Sequence, residues 1–305
     1  MTTTAPSAIT LDDYEEQART WLDAELPARA AQEHDPTYAI FHNRTHDEER
    51  ALIDAARAWQ ARRVDAGFGA ITWGPDWGGP GLTAGHERVY VNLERGYQAP
   101  DRHENVLVTV ELVAPTLHAL GTDEQRERFV RPFLRADELC CQLFSEPGAG
   151  SDLAGLSTKA VRSGDTWRIN GQKVWSSGAQ FSEWGLLIAR SDRSAPKHKG
   201  MTAFMVPMDT PGVEVRPILL INGTSPFCET FFDDVRASRS GGAPSERSGA
   251  RPPSAVGAPS LARSPVYQRI ACDPEGLARC FGTEPTETHI RGVAPPGHGG
   301  ARPGP

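Results

Sequence analysis

The chain has 305 residues, of which 38% are hydrophobic, and a formal net charge of −7. This length allows two ordinary domains with a buried core. The negative charge argues against a nucleic-acid-binding surface, and no apolar run reaches the roughly 18 residues that a membrane-spanning helix needs. The five cysteines form no C-x-x-C motif and suit a reducing, cytoplasmic compartment.

Residues 1–138 are predicted to form an all-α domain. Thr10-Leu-Asp-Asp13 has the pattern of a helix N-cap followed by an acidic first turn. Apolar residues then recur at intervals of three and four up to Leu26, which predicts an amphipathic helix. Thr122 and Gln125 have the spacing of a capping box. Further helices are predicted over residues 47–66, from residue 83, and over residues 105–120 and 122–135.

Residues 139–236 change to a pattern of short strands, which predicts an antiparallel, barrel-like β-domain. Cys140 and Cys141 are expected on opposite faces of one strand. The stretch from Thr166 to Trp175 is predicted to be a hairpin, because Asn170-Gly171 is a strong turn signal. Further strands are predicted over residues 186–190, 201–206, 213–217 and 229–233.

Residues 237–305 break this pattern and contain 11 Pro, 11 Gly, eight Arg and no Lys. A segment of this composition buries too little apolar surface to offset its chain entropy, which predicts a disordered tail. The abrupt change favours a shifted reading frame, and a natural Pro/Gly-rich tail is the alternative.

The segment from Cys140 to Asp152 begins as a strand and continues into a glycine-containing loop. Pro147 cannot donate to a sheet ladder, and Gly148 and Gly150 allow the backbone to turn tightly or to approach a flat or anionic ligand. The loop lacks the third glycine of a dinucleotide fingerprint and the Gly-Lys-Ser/Thr of a phosphate loop. Taken alone, it fits a ligand site or a purely structural turn.

Phe144-Ser-Glu-Pro-Gly-Ala-Gly-Ser-Asp152 closely resembles the flavin-binding signature of the acyl-CoA dehydrogenases. Four other stretches resemble the same family in the same order. They are Trp73-Gly-Pro-Asp-Trp-Gly-Gly-Pro-Gly-Leu82, Leu120-Gly-Thr-Asp-Glu-Gln125, Ile169-Asn-Gly-Gln-Lys-Val-Trp-Ser-Ser-Gly-Ala179 and Phe231-Phe-Asp-Asp-Val-Arg236. The resemblance covers residues 8–236 and implies an α+β fold in which a helical domain precedes a β-domain.

The resemblance also implies FAD as the cofactor and α,β-dehydrogenation of an acyl-CoA thioester, with hydride transfer to the flavin. It places Ser145 at the flavin edge and Ser151 near the phosphate arm of the acyl-CoA. Trp175 corresponds to the aromatic residue beside the flavin ring, although a Trp in a strand is also a common core residue. The full set of implied cofactor-binding residues is Gln142, Leu143, Phe144, Ser145, Trp175, Ser176 and Ser177.

No catalytic residue is assigned, because the resemblance places the catalytic carboxylate in a C-terminal helical domain without a counterpart in residues 237–305. Glu146 is interpreted as structural and not as the base. His42 and His46 have helical spacing for metal ligands, but no third ligand is evident, and no metal site is predicted.

The family resemblance also implies partners. It implies an acyl-CoA substrate, an electron-transfer flavoprotein or similar electron acceptor, and a homo- or hetero-oligomer active in fatty acid and lipid metabolism. Two alternatives remain open at this stage. One is a non-catalytic subunit of a heteromeric acyl-CoA dehydrogenase, and the other is a flavin monooxygenase of the same fold.

Overall fold

A computed structural model describes residues 9–29, 44–164 and 166–238, together with the backbone of Gln268–Ile270. Within these residues, five longer helical stretches precede a sheet. The helices are α1 (Leu11–Glu25), α2 (His46–Asp65), α3 (Ala84–Glu94), α4 (residues 104–120) and α5 (residues 123–134). None of the helices in these described ranges is both long and apolar enough to pass through a bilayer.

The predicted capping residues begin helices as expected. Thr10 is the N-cap of α1 and its side chain accepts from the backbone N–H of Asp13. Thr122 and Gln125 form a complete capping box at the start of α5. These bonds satisfy backbone donors that have no partner within the helix.

The last two helices each contain a widened, π-helical segment ahead of a proline. In α4 the segment Val108–Val113 precedes Pro115, and in α5 the segment Arg126–Val130 precedes Pro132. A proline inside a regular α-helix removes one hydrogen bond and clashes with the preceding turn. The wider turn accommodates the proline, and such π-segments occur often at functional sites.

In the described part of the chain these helices are followed by an eight-stranded sheet, in the order β6-β7-β3-β2-β4-β5-β8, with β1 paired to β4. This arrangement confirms the helical domain followed by a β-domain. Its strands are β1 (Cys140–Leu143), β2 (Lys159–Ser163), β3 (Thr166–Ser177), β4 (Trp184–Arg190), β5 (Met201–Pro207), β6 (Val213–Ile218), β7 (Phe227–Ser238) and β8 (Gln268–Ile270).

The expected antiparallel arrangement is wrong in one respect, because the sheet is mixed. β1 and β2 both pair with β4 in parallel. The loop and the β2–β3 hairpin lie between β1 and β4 in the chain. They return the backbone to the end of the sheet where β1 began, so β4 runs in the same direction as β1.

The predicted hairpin within residues 166–175 is also wrong. β3 is one continuous strand, and Asn170-Gly171 lies at a shift in its register with β7. A Cβ on Gly171 would lie 2.7 Å from the Cα of Thr158, so glycine is required there for close backbone approach and not for a turn. The hairpin instead joins β2 to β3, and its turn contains Gly164 with φ +61°.

The two faces of the sheet pack into different cores. Cys140 lies in the core shared with α4 and α5, whereas the adjacent Cys141 lies in the core on the opposite face of the sheet. This confirms the predicted alternation. Burial raises the pKa of Cys141 to about 12, so its thiol stays protonated near neutral pH.

Most of residues 237–305, predicted to be disordered, lie outside the described residues. Two short pieces are described. β7 continues to Ser238, and Gln268–Ile270 pairs with β5.

Candidate functional site

A small cavity of about 90 Å³ opens where β1, β3 and α4 meet. Five of the seven predicted cofactor-binding residues line it. Two further residues of its lining, Glu104 and Val108, come from α4. The lining is Glu104, Val108, Gln142, Phe144, Ser145, Val174, Trp175 and Ser177.

The other predicted residues lie outside this lining. The side chain of Leu143 is fully buried in the core with Cys141. Ser176 is also buried, and its Oγ has no hydrogen-bond partner among the described residues. Ser151 is exposed on the loop beyond the cavity.

Trp175 is the most unusual residue of the site. It is 57% exposed although it is one of the largest apolar side chains, and its φ of +60° lies in the left-handed region. Its indole meets the ring of Phe227 edge-on at 5.9 Å. Left-handed backbone at a bulky residue costs roughly 1–3 kcal/mol and clusters at ligand sites. The alternative expectation that Trp175 is a core residue is therefore wrong for this strand position.

Glu104 is a site residue that sequence reasoning missed. It is the first residue of α4, and its Oε1 accepts a hydrogen bond of 2.9 Å from Ser177 Oγ. Val108 lies one turn further along the same helix. Glu104 and Ser177 are 73 residues apart in the chain, and no local motif links them.

Glu146 and Lys173 form a buried ion pair beneath the cavity. Lys173 Nζ lies 2.8 Å from Glu146 Oε1, and their side chains are 0% and 3% exposed. Burial opposes ionisation of Glu146, but hydrogen bonds from Lys173, Thr158 and Ser157 outweigh it and lower its pKa to about 2. Burial lowers the pKa of Lys173 to about 8, against the opposing effect of Glu146. A carboxylate held in this way accepts structural hydrogen bonds and is unsuited to abstract a proton from a substrate.

The ionised Glu146 predicts a specific loss of stability in acid. The pKa of Glu146 is about 2 in the folded protein against an ordinary 4.5. Its contribution to the free energy of unfolding is therefore fully present above pH 4.5 and is lost as the pH falls towards 2. We expect up to about 3 kcal/mol of unfolding free energy to be lost through this group. Urea unfolding between pH 6 and pH 2 should show a steeper decline for the wild type than for Glu146→Gln. Parallel declines would contradict the assignment.

The glycines of the loop differ from expectation. Neither Gly148 nor Gly150 has a positive φ, and a Cβ on either would meet nothing within 4 Å. The tight turn is made instead by two backbone hydrogen bonds between Glu146 and Ala149. The chain's own packing therefore does not require glycine at these positions, and the space beside them is open.

A second cavity of about 490 Å³ adjoins the first and shares Glu104 with it. It lies between the start of α2, the start of α4 and the loop from Ile218 to Phe227. His46 is part of its lining and stacks on Phe181 at 4.7 Å. His42 lies outside the described residues. Within those residues no cluster of three His, Cys, Asp or Glu has the arrangement of a metal site.

Comparison with known families and proteins gives concordant matches. A model of the acyl-CoA dehydrogenase N-terminal domain matches residues 12–137, and a model of the middle domain of the same family matches residues 141–235.

Among curated proteins, acyl-CoA dehydrogenase IpdE1 of Mycobacterium tuberculosis is 38% identical over 226 residues, covering 74% of this chain and 56% of the relative. Acyl-CoA dehydrogenase FadE34 of the same organism is 47% identical over 188 residues, covering 62% of this chain and 26% of the relative. The chain spans about half the length of IpdE1.

Two solved assemblies share the fold. The Tcur3481-Tcur3483 steroid ACAD has a TM-score of 0.57 at 30% identity, with 78% of this chain and 57% of that chain covered. The ChsE4-ChsE5 complex from Mycobacterium tuberculosis has a TM-score of 0.56 at 28% identity, with 78% and 56% covered.

Proposed function

We propose, because this chain belongs to the acyl-CoA dehydrogenase family, that it forms one wall of an FAD site for α,β-dehydrogenation of an acyl-CoA thioester. The observation that carries the proposal is the convergence of Ser145, Ser177 and the exposed Trp175 on one cavity. When bound, FAD would supply the hydride acceptor for this reaction.

The residues of the cavity suit an aromatic ring system with a polar edge. Trp175 offers a broad apolar surface, which stacks favourably on a flat conjugated ring. Ser145 and Ser177 provide hydroxyl groups, and Gln142 provides an amide, which together can donate to and accept from ring nitrogens and oxygens. The open space beside Gly148 and Gly150 leaves room for the remainder of a large cofactor or for the substrate.

Ser151 lies on the exposed rim of the same loop, and we assign it to the phosphate arm of the acyl-CoA. The neighbouring Asp152 pairs with Lys197, which holds the rim against the loop after β4. In this proposal the electrons pass finally to an electron-transfer flavoprotein or a similar acceptor.

The test supplies the part of the fold that the relatives have beyond the matched region. The C-terminal helical domain of an acyl-CoA dehydrogenase is joined after Ser238, so that β7 remains whole. We expect acyl-CoA-dependent reduction of an artificial electron acceptor, scanned over acyl chain lengths. A product that retains FAD but reduces no acceptor with any acyl-CoA would rule out the dehydrogenase proposal.

A second candidate function is that of a non-catalytic subunit which completes its cofactor site with a partner chain. It is favoured by the similarity to the Tcur3481-Tcur3483 and ChsE4-ChsE5 assemblies, each named for two components. Under this proposal, activity appears only when the chain is co-expressed with a complete family member, and not in the joined protein.

We expect the 305-residue chain alone to bind FAD weakly. Ligand sites usually bury about 70–90% of the ligand surface, whereas here Trp175, the broad apolar surface proposed to stack on the flavin, is 57% exposed. Titration of FAD into the chain, followed by flavin fluorescence, should give incomplete saturation. A stoichiometric yellow chromophore that survives gel filtration would contradict this prediction.

A further inference from the structure

The buried ammonium group of Lys173 joins the two segments that form the cavity. Lys173 lies on β3, two residues before Trp175, and Nζ donates to Phe144 O at 2.9 Å and to Glu146 Oε1 at 2.8 Å. Its two acceptors therefore belong to the residues on either side of Ser145. A single side chain connects the strand that carries Trp175 to the loop that carries Ser145.

The Glu146 end of the pair is itself firmly held. Glu146 Oε2 accepts from the backbone N–H and the hydroxyl of Ser157 at 2.6 and 2.7 Å, and Oε1 accepts from the backbone N–H of Thr158 at 3.0 Å. Charge-assisted bonds of this kind are among the stronger hydrogen bonds in proteins. These hydrogen bonds hold the Glu146 carboxylate in one position, and Lys173 is positioned by its bond to that carboxylate.

The sheet itself does not hold Trp175 in this way. The pairing of β3 with β7 shifts register between Lys173 and Ser176, so Trp175 lies in an interruption of the ladder. Next to it, Val174 N donates to Ser145 O at 2.9 Å. A strained backbone conformation persists only where several surrounding contacts fix it. Here the contacts that Lys173 and Val174 make to residues 144–146 provide this constraint.

We propose that Lys173 and Glu146 are positioning residues that fix Ser145 and Trp175 relative to each other, so that the cavity is preformed for its ligand. The proposal deepens the proposed function and rests on it for the identity of the ligand. Buried ion pairs add little net stability compared with apolar side chains of similar size. A charged pair at this position is therefore better explained by the geometry that it specifies than by the stability that it adds.

The test separates geometry from stability and uses the full 305-residue chain labelled with 5-fluorotryptophan. The chain has seven tryptophans, and comparison with Trp175→Phe assigns the ¹⁹F resonance of Trp175. The variants are Lys173→Met, which leaves Glu146 charged, and Lys173→Met/Glu146→Gln, which leaves no buried charge at the pair. Urea unfolding is measured on the same samples.

A matched control comes from the helical domain. Arg63 and Glu94 form another largely buried pair, with side chains 8% and 11% exposed, and Glu94 also accepts from Trp59 and Tyr90. Arg63→Met therefore removes a cation while its carboxylate keeps other donors, as Lys173→Met does. We expect it to lower the urea midpoint and to leave the Trp175 resonance in place.

We expect Lys173→Met to lower the urea midpoint and to shift or broaden the Trp175 resonance. The double variant should recover most of the midpoint while its Trp175 resonance stays displaced. A folded double variant with the Trp175 resonance at its wild-type position would show that the pair is only structural. A double variant that does not fold would also overturn the proposal, because the pair would then be required for the domain itself.

The readout contains no flavin, so it distinguishes failure of this inference from failure of the proposed function. If added FAD leaves the Trp175 resonance unchanged in the protein joined after Ser238 to an acyl-CoA dehydrogenase C-terminal helical domain, the proposed cofactor is wrong. The displacement of that resonance in the double variant would still support positioning by Lys173 and Glu146.

Discussion

Replacing Gly178 with alanine is expected to destabilise the protein by roughly 2–5 kcal/mol. Gly178 has φ +58°, and a Cβ there would lie 2.4 to 2.7 Å from the side-chain amide of Asn105. Asn105 is fully buried and cannot move aside without losing its own bonds, because its Nδ2 donates to Gly178 O and to Ser182 Oγ. Backbone strain and overpacking therefore act together.

The measurement is the urea midpoint of Gly178→Ala, with Gly148→Ala as the matched control. Gly148 has no positive φ and has open space where a Cβ would be placed, so its replacement should change the unfolding free energy by less than about 1 kcal/mol. Equal midpoints for the two variants would mean that Asn105 does not pack against Gly178 as described.

The contact between Gly178 and Asn105 also bears on the site. Ser177 precedes Gly178, Glu104 precedes Asn105, and these two preceding residues are themselves hydrogen-bonded. The start of α4 is thus joined to the end of β3 at two successive positions. We therefore expect Gly178→Ala to alter the cavity as well as to lower the stability, provided that the variant still folds.

The parts of the fold that sequence predicts well are those determined by residues close together in the chain. The N-cap at Thr10 and the capping box at Thr122 depend on bonds across three residues. The opposite faces of Cys140 and Cys141 follow from the two-residue repeat of a strand. These interactions need no knowledge of the rest of the molecule.

Asn170-Gly171 shows where local reasoning fails. The dipeptide is typical of a tight turn, but here Asn170 Oδ1 accepts from Asp234 N, 64 residues away, and Gly171 makes room for Thr158. Both demands come from neighbouring strands. Contacts that form only in the folded sheet outweigh the local preference of Asn170-Gly171 for a tight turn.

The candidate site divides in the same way. A family resemblance pointed to Ser145 and Trp175, and both line the cavity. Glu104 carries no local signal, because its bond to Ser177 crosses from the helical domain to the sheet. The sequence also carries no local signal for the left-handed backbone conformation of Trp175, because that conformation arises at a register shift between β3 and β7.

In the protein joined after Ser238 to an acyl-CoA dehydrogenase C-terminal helical domain, Ser145→Ala is expected to lower the rate of acyl-CoA-dependent acceptor reduction by roughly 10- to 100-fold. Ser145 lines the cavity at the end of β1, and its backbone carbonyl is fixed by Val174 N. Its hydroxyl can therefore be preorganised as a donor to negative charge that develops during the reaction. Because charge on a flavin is spread over several atoms, the effect should lie below that of a localised oxyanion.

The loss of rate should appear mainly in kcat, because the hydroxyl stabilises the charge that has developed in the transition state more than it stabilises the ground state. Ser163→Ala is the matched control, since Ser163 is exposed on β2 and is not part of the cavity lining. It should leave both the rate and FAD retention unchanged. If Ser145→Ala matches Ser163→Ala in both measurements, the flavin edge does not lie at Ser145, even where the joined protein is an active dehydrogenase.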